Sequence, residues 1–116
     1  MERFNLDDYT IVPEKDVTRR VIYSDQNTLA YVLNILPGES MPEQEHFEST
    51  VLLQVISGTG RIIVDNQSFN VQEKDLVKIG GTETLTIHNT GNEYLELYVT
   101  VSPLPGDDRY SADLEI

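Results

Sequence analysis

The residues best suited to chemistry in this chain are its histidines, of which there are two, His46 and His88. His46 stands in the segment QEHFE among carboxylates. Imidazole and carboxylate groups bind transition metals and exchange protons near neutral pH. Because the sequence contains no cysteine, thiolate ligands, thiol nucleophiles and disulfides are excluded. The question is whether His46 belongs to a working site or to the remnant of one.

The elements that would position His46 are predicted to be strands. Short segments rich in β-branched and aromatic residues alternate with connectors that contain Gly, Asn or Asp, and no helix-length periodicity interrupts them. This pattern predicts an all-β, single-domain, antiparallel sandwich or barrel. The predicted strands are TRRVIYS, TLAYVLNIL, the stretch around Gln44 to Phe47, VLLQVIS, GRIIVD, QSFNV, DLVKI, LTIHN and YLELYVTV.

We predict an N-terminal arm over residues 1–17, a barrel over 18–103 and a C-terminal tail over 104–116. Two prolines and a glycine break the strand pattern where the tail begins, and a lid over the barrel mouth is one possible role for it. Several strands, such as VLLQVIS, are apolar at successive positions, which indicates cover on both faces. A homodimer formed through an outer sheet would supply that cover.

The charge of the chain restricts its partners. Twenty acidic residues against eight basic ones give a net charge of -12 at neutral pH, and such a surface repels phosphate backbones and anionic lipids. We therefore expect neither a nucleic-acid nor a membrane partner. The N-terminal segment MERFNLDDYT has no basic leader and no apolar run, so we expect a cytoplasmic protein.

The order of strands and turns resembles the cupin superfamily of jelly-roll barrels. The first motif of that family contains a glycine, a His-x-His pair, a glutamate and a closing glycine. Gly38 and Gly58 match its two ends, Pro42 falls where the family often has proline, and His46 matches the second histidine. Gln44 stands at the first histidine and Val51 at the glutamate.

The second motif of the cupin family lies over KDLVKIGGTETLTIHN. Lys74 takes the position of its opening glycine, and Asp75 and Asn89 match family residues. Leu85 stands at the histidine. The resemblance implies a jelly-roll barrel whose usual metal ligands are reduced to His46.

The resemblance implies three imidazoles and a carboxylate around a divalent metal, and one subunit with two histidines cannot supply them. If Leu85 points inward, strand alternation turns Ile87 inward and His88 outward. Val51 and Leu85 would place apolar surface where ligands are needed. We therefore predict no metal cofactor. The alternative is a weak divalent-metal site that uses acidic residues of the same segment: Glu43, Glu45 or Glu48.

The inward pair Gln44 and His46 would then face an apolar floor, formed by Val51, Leu53, Leu85 and Ile87. A mostly apolar pocket with a few polar groups is typical of small-molecule binding. A barrel packed shut by its own side chains is the alternative.

Tyrosines could add polar tips to such a pocket, and Tyr31, Tyr94 and Tyr98 are the candidates. On the last strand we expect the face of Leu95 and Leu97 to point inward. The opposite orientation would bring Glu96 beside His46 as an acid–base pair.

The leading interpretation is a metal-independent cupin that binds or senses a small molecule in the barrel. The first alternative is a metal-independent isomerase or epimerase with His46 as its catalytic base. The scarcity of basic residues in the barrel strands, where Arg61 and Lys78 follow Arg19 and Arg20, argues against a diphosphate substrate. The second alternative is a metal-dependent enzyme with unusual ligands.

Overall fold

The computed structural model describes residues 1–11, 15–45, 49–80, 82–102 and 113–115, with the backbone alone at 44, 45, 114 and 115. A short 3-10 helix, Leu6–Tyr9, precedes the strands. The strands are β1 (Val17–Ser24), β2 (Leu29–Ile35), β3 (Ser40–Glu45), β4 (Thr50–Ser57), β5 (Thr59–Val64), β6 (Gln67–Gln72), β7 (Leu76–Ile79), β8 (Thr84–Asn89), β9 (Leu95–Ser102) and β10 (Leu114–Glu115). No helix in the described part of the chain is long and apolar enough to cross a membrane.

The strands form two antiparallel sheets that pack face to face. The six-stranded sheet has the order β10-β1-β2-β9-β4-β7, and the four-stranded sheet has the order β3-β8-β5-β6. Each predicted strand segment corresponds to one of β1 to β9. The crossovers between sheets and the antiparallel pairing are those of a jelly roll, so the predicted all-β jelly-roll fold is confirmed.

The core lies between the sheets and contains one side chain from every second position of most strands. On β4, Val51, Leu53 and Val55 are buried while the residues between them are exposed. On β9, Leu95, Leu97, Val99 and Val101 are at most 1% exposed. The apolar face of β9 therefore points inward as predicted, and Tyr98 and Glu96 lie on the outer face.

The outer face of the six-stranded sheet is covered in part by the N-terminal arm. Every residue of β2 is buried, on the outer as well as the inner face. Phe4 and Leu6 of the arm border the same space as Ala30 and Tyr98 of the outer face. On β4, by contrast, Leu52 is 42% exposed. Both faces of β2 are thus covered within this chain, whereas the outer face of β4 stays exposed at Leu52.

The C-terminal residues add a strand that the sequence pattern does not show. Leu114 pairs with Arg19 and Glu115 with Thr18, which extends the six-stranded sheet beyond β1. The carboxylate of Asp113 accepts a hydrogen bond of 2.7 Å from the backbone amide of Val21. Residues 103–112, on which the lid hypothesis rests, lie outside the described residues.

The β6–β7 turn places a lysine in a backbone conformation that favours glycine. Lys74 has a φ of 78° and stands at the motif position where the cupin family has glycine. Its amide donates to the carbonyl of Val55 at 2.8 Å, and the Asp75 carboxylate accepts from the amide of Gln72 at 2.9 Å. These bonds hold the turn in the left-handed region, where a side chain costs about 1–2 kcal/mol.

We expect Lys74→Gly to stabilise the protein relative to Lys74→Ala by about 1 kcal/mol, because glycine removes the Cβ strain while alanine keeps it. Urea denaturation of the two variants measures the difference, and both lack the lysine charge, so charge cancels in the comparison. Equal stabilities would show that the turn is not strained at this residue.

Candidate functional site

The motif positions that would carry metal ligands are occupied by core residues. Val51 is 0% exposed and Leu85 is 3% exposed, and both belong to the hydrophobic cluster between the sheets. Leu53 and Ile87, the other residues predicted to form a pocket floor, are buried in the same cluster. Two of the four usual ligand positions therefore contribute hydrocarbon to the core.

The polar half of the predicted site lies at the end of β3. A bulge between Met41 and Gln44 shifts the pairing of β3 with β8, after which Gln44 lies opposite Leu85. His46 and Glu48 lie outside the described residues, as does the side chain of Gln44. The backbone register therefore brings Gln44 next to Leu85 on the ladder, and the arrangement of the Gln44 and His46 side chains stays a prediction.

The second histidine lies on the other side of its strand. Leu85 and Ile87 of β8 are buried in the core, and His88, one residue further, is half-buried on the outer face. Its Nδ1 atom forms a short hydrogen bond with the Oγ atom of Ser40 on β3. His88 is thus directed away from the barrel interior, as alternation along β8 predicts.

These placements do not fit the metal centre that the fold family implies. A usual site needs converging imidazoles and a carboxylate, yet Val51 and Leu85 hold two of the positions and His88 faces outward. Within the described ranges, no three His, Cys, Asp or Glu side chains come together in a group that could hold a metal ion.

Asn89, one of the family residues that this chain retains, has a structural role. The buried amide of Asn89 donates to the carbonyls of Ile35 and Glu93, and its oxygen accepts from the amide of Gly91. It thereby joins the β8–β9 connection to the end of β2. The motif has kept residues that shape turns, whereas two of the positions that bind ions now carry apolar side chains.

A cation inside the barrel was not anticipated from the sequence. Arg19 lies opposite Leu33 on the inner face of β1 and is 3% exposed. Its guanidinium carbon lies 5.5 Å from the ring centroid of Tyr31, which is also buried on the inner face. The segment TRRVIYS contains two adjacent arginines, and its sequence pattern does not show which of them points inward. The pairing of β1 with β2 determines that Arg19 does.

A concave feature opens where the two sheets do not meet, between the edge strands β6 and β7. We call it the barrel-edge cleft, and its volume is about 490 Å³. Its residues are Ile62, Val64, Gln67, Phe69, Asn70, Val71, Asp75, Leu76, Val77, Lys78 and Glu83.

The cleft and the predicted site are connected by one row of residues across the four-stranded sheet. Gln44, Leu85, Val64 and Gln67 are successive cross-strand neighbours on β3, β8, β5 and β6. Val64 and Gln67 border the cleft, so the predicted site and the cleft share one row of the four-stranded sheet. The cleft was not predictable from the sequence because it depends on the gap between two edge strands.

The chemical character of the cleft is mixed. Its floor is aliphatic, and Phe69 presents a ring that is 50% exposed. Its rim carries two carboxylates, Asp75 and Glu83, and the ammonium group of Lys78. The Glu83 carboxylate accepts from the amide of Gly80 at 2.7 Å, which fixes one of its oxygens.

Comparison with known protein families assigns the chain. The family model described as mannose-6-phosphate isomerase C-terminal, a cupin-type domain, matches residues 12–108. The chain belongs to this cupin family. The suspected cupin resemblance is thereby confirmed, although no match was found among curated proteins.

Solved structures agree on the cupin fold. A protein with a double-stranded β-helix domain from Klebsiella pneumoniae superposes with a TM-score of 0.83 at 17% identity, covering 98% of this chain and 96% of that one. The Cnp3 cupin domain of Schizosaccharomyces pombe gives 0.77 at 15% identity, covering 86% and 72%. A predicted oxalate decarboxylase from Thermotoga maritima gives 0.70 at 18% identity, covering 78% and 88%.

At these identities the likeness shows the fold alone. Membership of the cupin family therefore explains the positions of β3, β4 and β8, on which cupin ligands stand. The chemistry of this cupin must be inferred from its own residues. The residues of the barrel-edge cleft and the buried motif positions are the most informative about it.

Proposed function

We propose that this cupin binds a small organic molecule without a metal ion, and that the ligand enters through the barrel-edge cleft. The observation that carries the proposal is the cleft itself, whose volume of about 490 Å³ lies in the range of small-molecule sites. The apolar residues of the cleft can pack against a ligand, and its polar residues can orient it. Binding or sensing requires no more than this.

The absence of a metal requirement is supported by the buried motif positions. An ion beside Val51 and Leu85 would lose hydration without gaining ligands, at a cost of several kcal/mol. Gln44 shares a row of the sheet with Leu85 and Val64, and Val64 borders the cleft. His46 is the candidate base if the ligand is turned over.

The charges of the cleft favour a neutral or cationic ligand. Two carboxylates face one ammonium group at the rim, and the whole chain carries a net charge of -12. Such a potential raises the local concentration of cations and lowers that of anions. A half-exposed aromatic ring such as Phe69 adds a face on which apolar groups or cations can pack.

The second candidate is an isomerase that uses His46. The observation that favours it is the family description, which names a mannose-6-phosphate isomerase domain. A phosphorylated sugar would meet the two carboxylates of the rim, which is why we rank this function second. The two candidate functions differ in whether the ligand is converted to a product. Only the isomerase hypothesis predicts a reaction that His46→Ala abolishes while the fold remains intact.

A thermal-shift screen in the presence of a chelator tests binding. We expect at least one compound among neutral polyols, organic amines and phenols to raise the melting temperature. A ligand at about 100 times its Kd stabilises the native state by about 2.7 kcal/mol. The chelator ensures that the shift owes nothing to a metal ion.

Two variants locate the binding. Phe69→Ala removes a side chain of the cleft, and Leu52→Ala removes a similarly exposed apolar side chain outside it. The ligand-induced shift should be lost in the first and kept in the second. Failure of every compound, or an equal loss in both variants, would contradict the proposed site.

A further inference from the structure

A second cluster of polar side chains lies on the outer face of the four-stranded sheet, on the side opposite the core. His88 of β8 has a cross-strand neighbour on each side. Ser40 of β3 lies opposite it on one side, and Arg61 of β5 lies opposite it on the other. Directly opposed residues in antiparallel strands have Cβ atoms about 4.5–5.5 Å apart. The three side chains therefore form one continuous row, the Ser40–His88–Arg61 row.

Every member of this row can donate a hydrogen bond, and none is an acid. Hydroxyl, imidazole and guanidinium groups provide the donors. The neighbouring positions on the same face of β5 and β8 are Thr59, Ile63 and Thr86, which also carry no charge. In a chain with twenty acidic and eight basic residues, a stretch of β5 and β8 without a carboxylate is a local exception.

The hydrogen bond between Ser40 and His88 organises the row. With Nδ1 engaged by the Ser40 hydroxyl, the ring keeps Nε2 as its second polar atom. Arg61 is exposed, and among the described residues no hydrogen bond or ion pair engages its guanidinium. A planar guanidinium beside a fixed imidazole presents several N–H groups, which match the oxygens of a carboxylate or phosphate.

We propose that the Ser40–His88–Arg61 row binds an oxyanion, a phosphate or carboxylate group of a small molecule. Arg61 supplies the charge and a forked pair of donors. With the Ser40 hydroxyl donating to Nδ1, His88 carries its proton at Nε2 and supplies that N–H group, and Ser40 holds the imidazole in place. The site is separate from the barrel-edge cleft, whose rim carries carboxylates. Acids do stand on β3, at Glu43 and Glu45, and limit the affinity to a modest value.

NMR titration with inorganic phosphate and, separately, with acetate tests this inference, at constant ionic strength with chloride as the reference salt. We expect saturable shifts at the backbone amides of Ser40, Arg61 and His88. The relative affinities distinguish a phosphate site from a carboxylate site. Arg61→Gln should weaken binding by about tenfold or more, since exposed charge-assisted bonds to an anion are lost.

The matched control is Arg3→Gln, which makes the same substitution at an exposed arginine of the N-terminal arm, outside the row. Its affinity for the anion should stay close to that of the unchanged protein. Shifts that grow linearly without saturation, or equal losses in Arg61→Gln and Arg3→Gln, would show only general ionic effects and would overturn the proposal.

Discussion

Gly58→Ala is expected to lower the free energy of unfolding by about 4 kcal/mol. This value is the sum of the cost of a side chain in the left-handed backbone conformation and the cost of a steric clash. Gly58 has a φ of 93°, and a Cβ atom there would lie 2.5 Å from the carbonyl oxygen of Tyr94 and 3.1 Å from the Cα atom of Leu95. Both contacts are with backbone, which cannot rotate away as a side chain can. Gly58, the closing glycine of the first motif, thus allows the β4–β5 connection to pass close to the backbone of Tyr94 and Leu95 at the start of β9.

Gly38→Ala is the control for this prediction. Gly38 also has a positive φ, of 80°, but an added Cβ atom would meet nothing within 4 Å. Its substitution should cost only the conformational part, about 1–2 kcal/mol. Urea denaturation of both variants separates strain from clash, and equal losses in the two would contradict the close approach of Tyr94 to Gly58.

Asn89→Ala is expected to cost about 3 kcal/mol, because its side chain makes three buried or half-buried hydrogen bonds to backbone groups. The amide nitrogen donates to Ile35 at 2.9 Å and to Glu93 at 2.7 Å, and the oxygen accepts from Gly91 at 2.9 Å. Truncation leaves the Ile35 carbonyl without this donor in the interior. Chemical denaturation measures the loss.

The control for Asn89 is Asn92→Ala in the same connection, since Asn92 is exposed. Surface substitutions of this kind usually change stability by less than about 0.5 kcal/mol. A small effect at Asn89 would mean that the β8–β9 connection is held by other contacts, and the structural role assigned to this motif residue would be wrong.

The sequence predicted the strands well because alternation and turn residues are local signals. The segments that became β1 to β9 were all identified, and the inward face of β9 followed from its Leu and Val residues. β10 was missed because it has two residues, too few for a pattern, and because it depends on pairing with a distant strand. The bulge in β3 was missed for the same reason, since register arises between strands.

The burial of the apolar motif positions was predictable, whereas their part in a binding site stays a prediction. Motif spacing assigned Val51 and Leu85 to former ligand positions, and the structure buries both in the core. The inward position of Arg19 and the cleft between β6 and β7 depend on how sheets meet, which no single segment encodes. Phe69 illustrates this, because its strand pattern indicates a core residue while the gap leaves half of its surface exposed.

The central claim is that a ligand binds this cupin at the edge of the barrel without a metal ion. A crystal structure of the complex with a compound from the thermal-shift screen, grown without chelator and with anomalous data across the transition-metal edges, tests it most directly. We predict ligand density against Phe69 and Val77, and no anomalous peak in the barrel. An anomalous peak beside His46, with the ligand bound to that ion, would contradict the account.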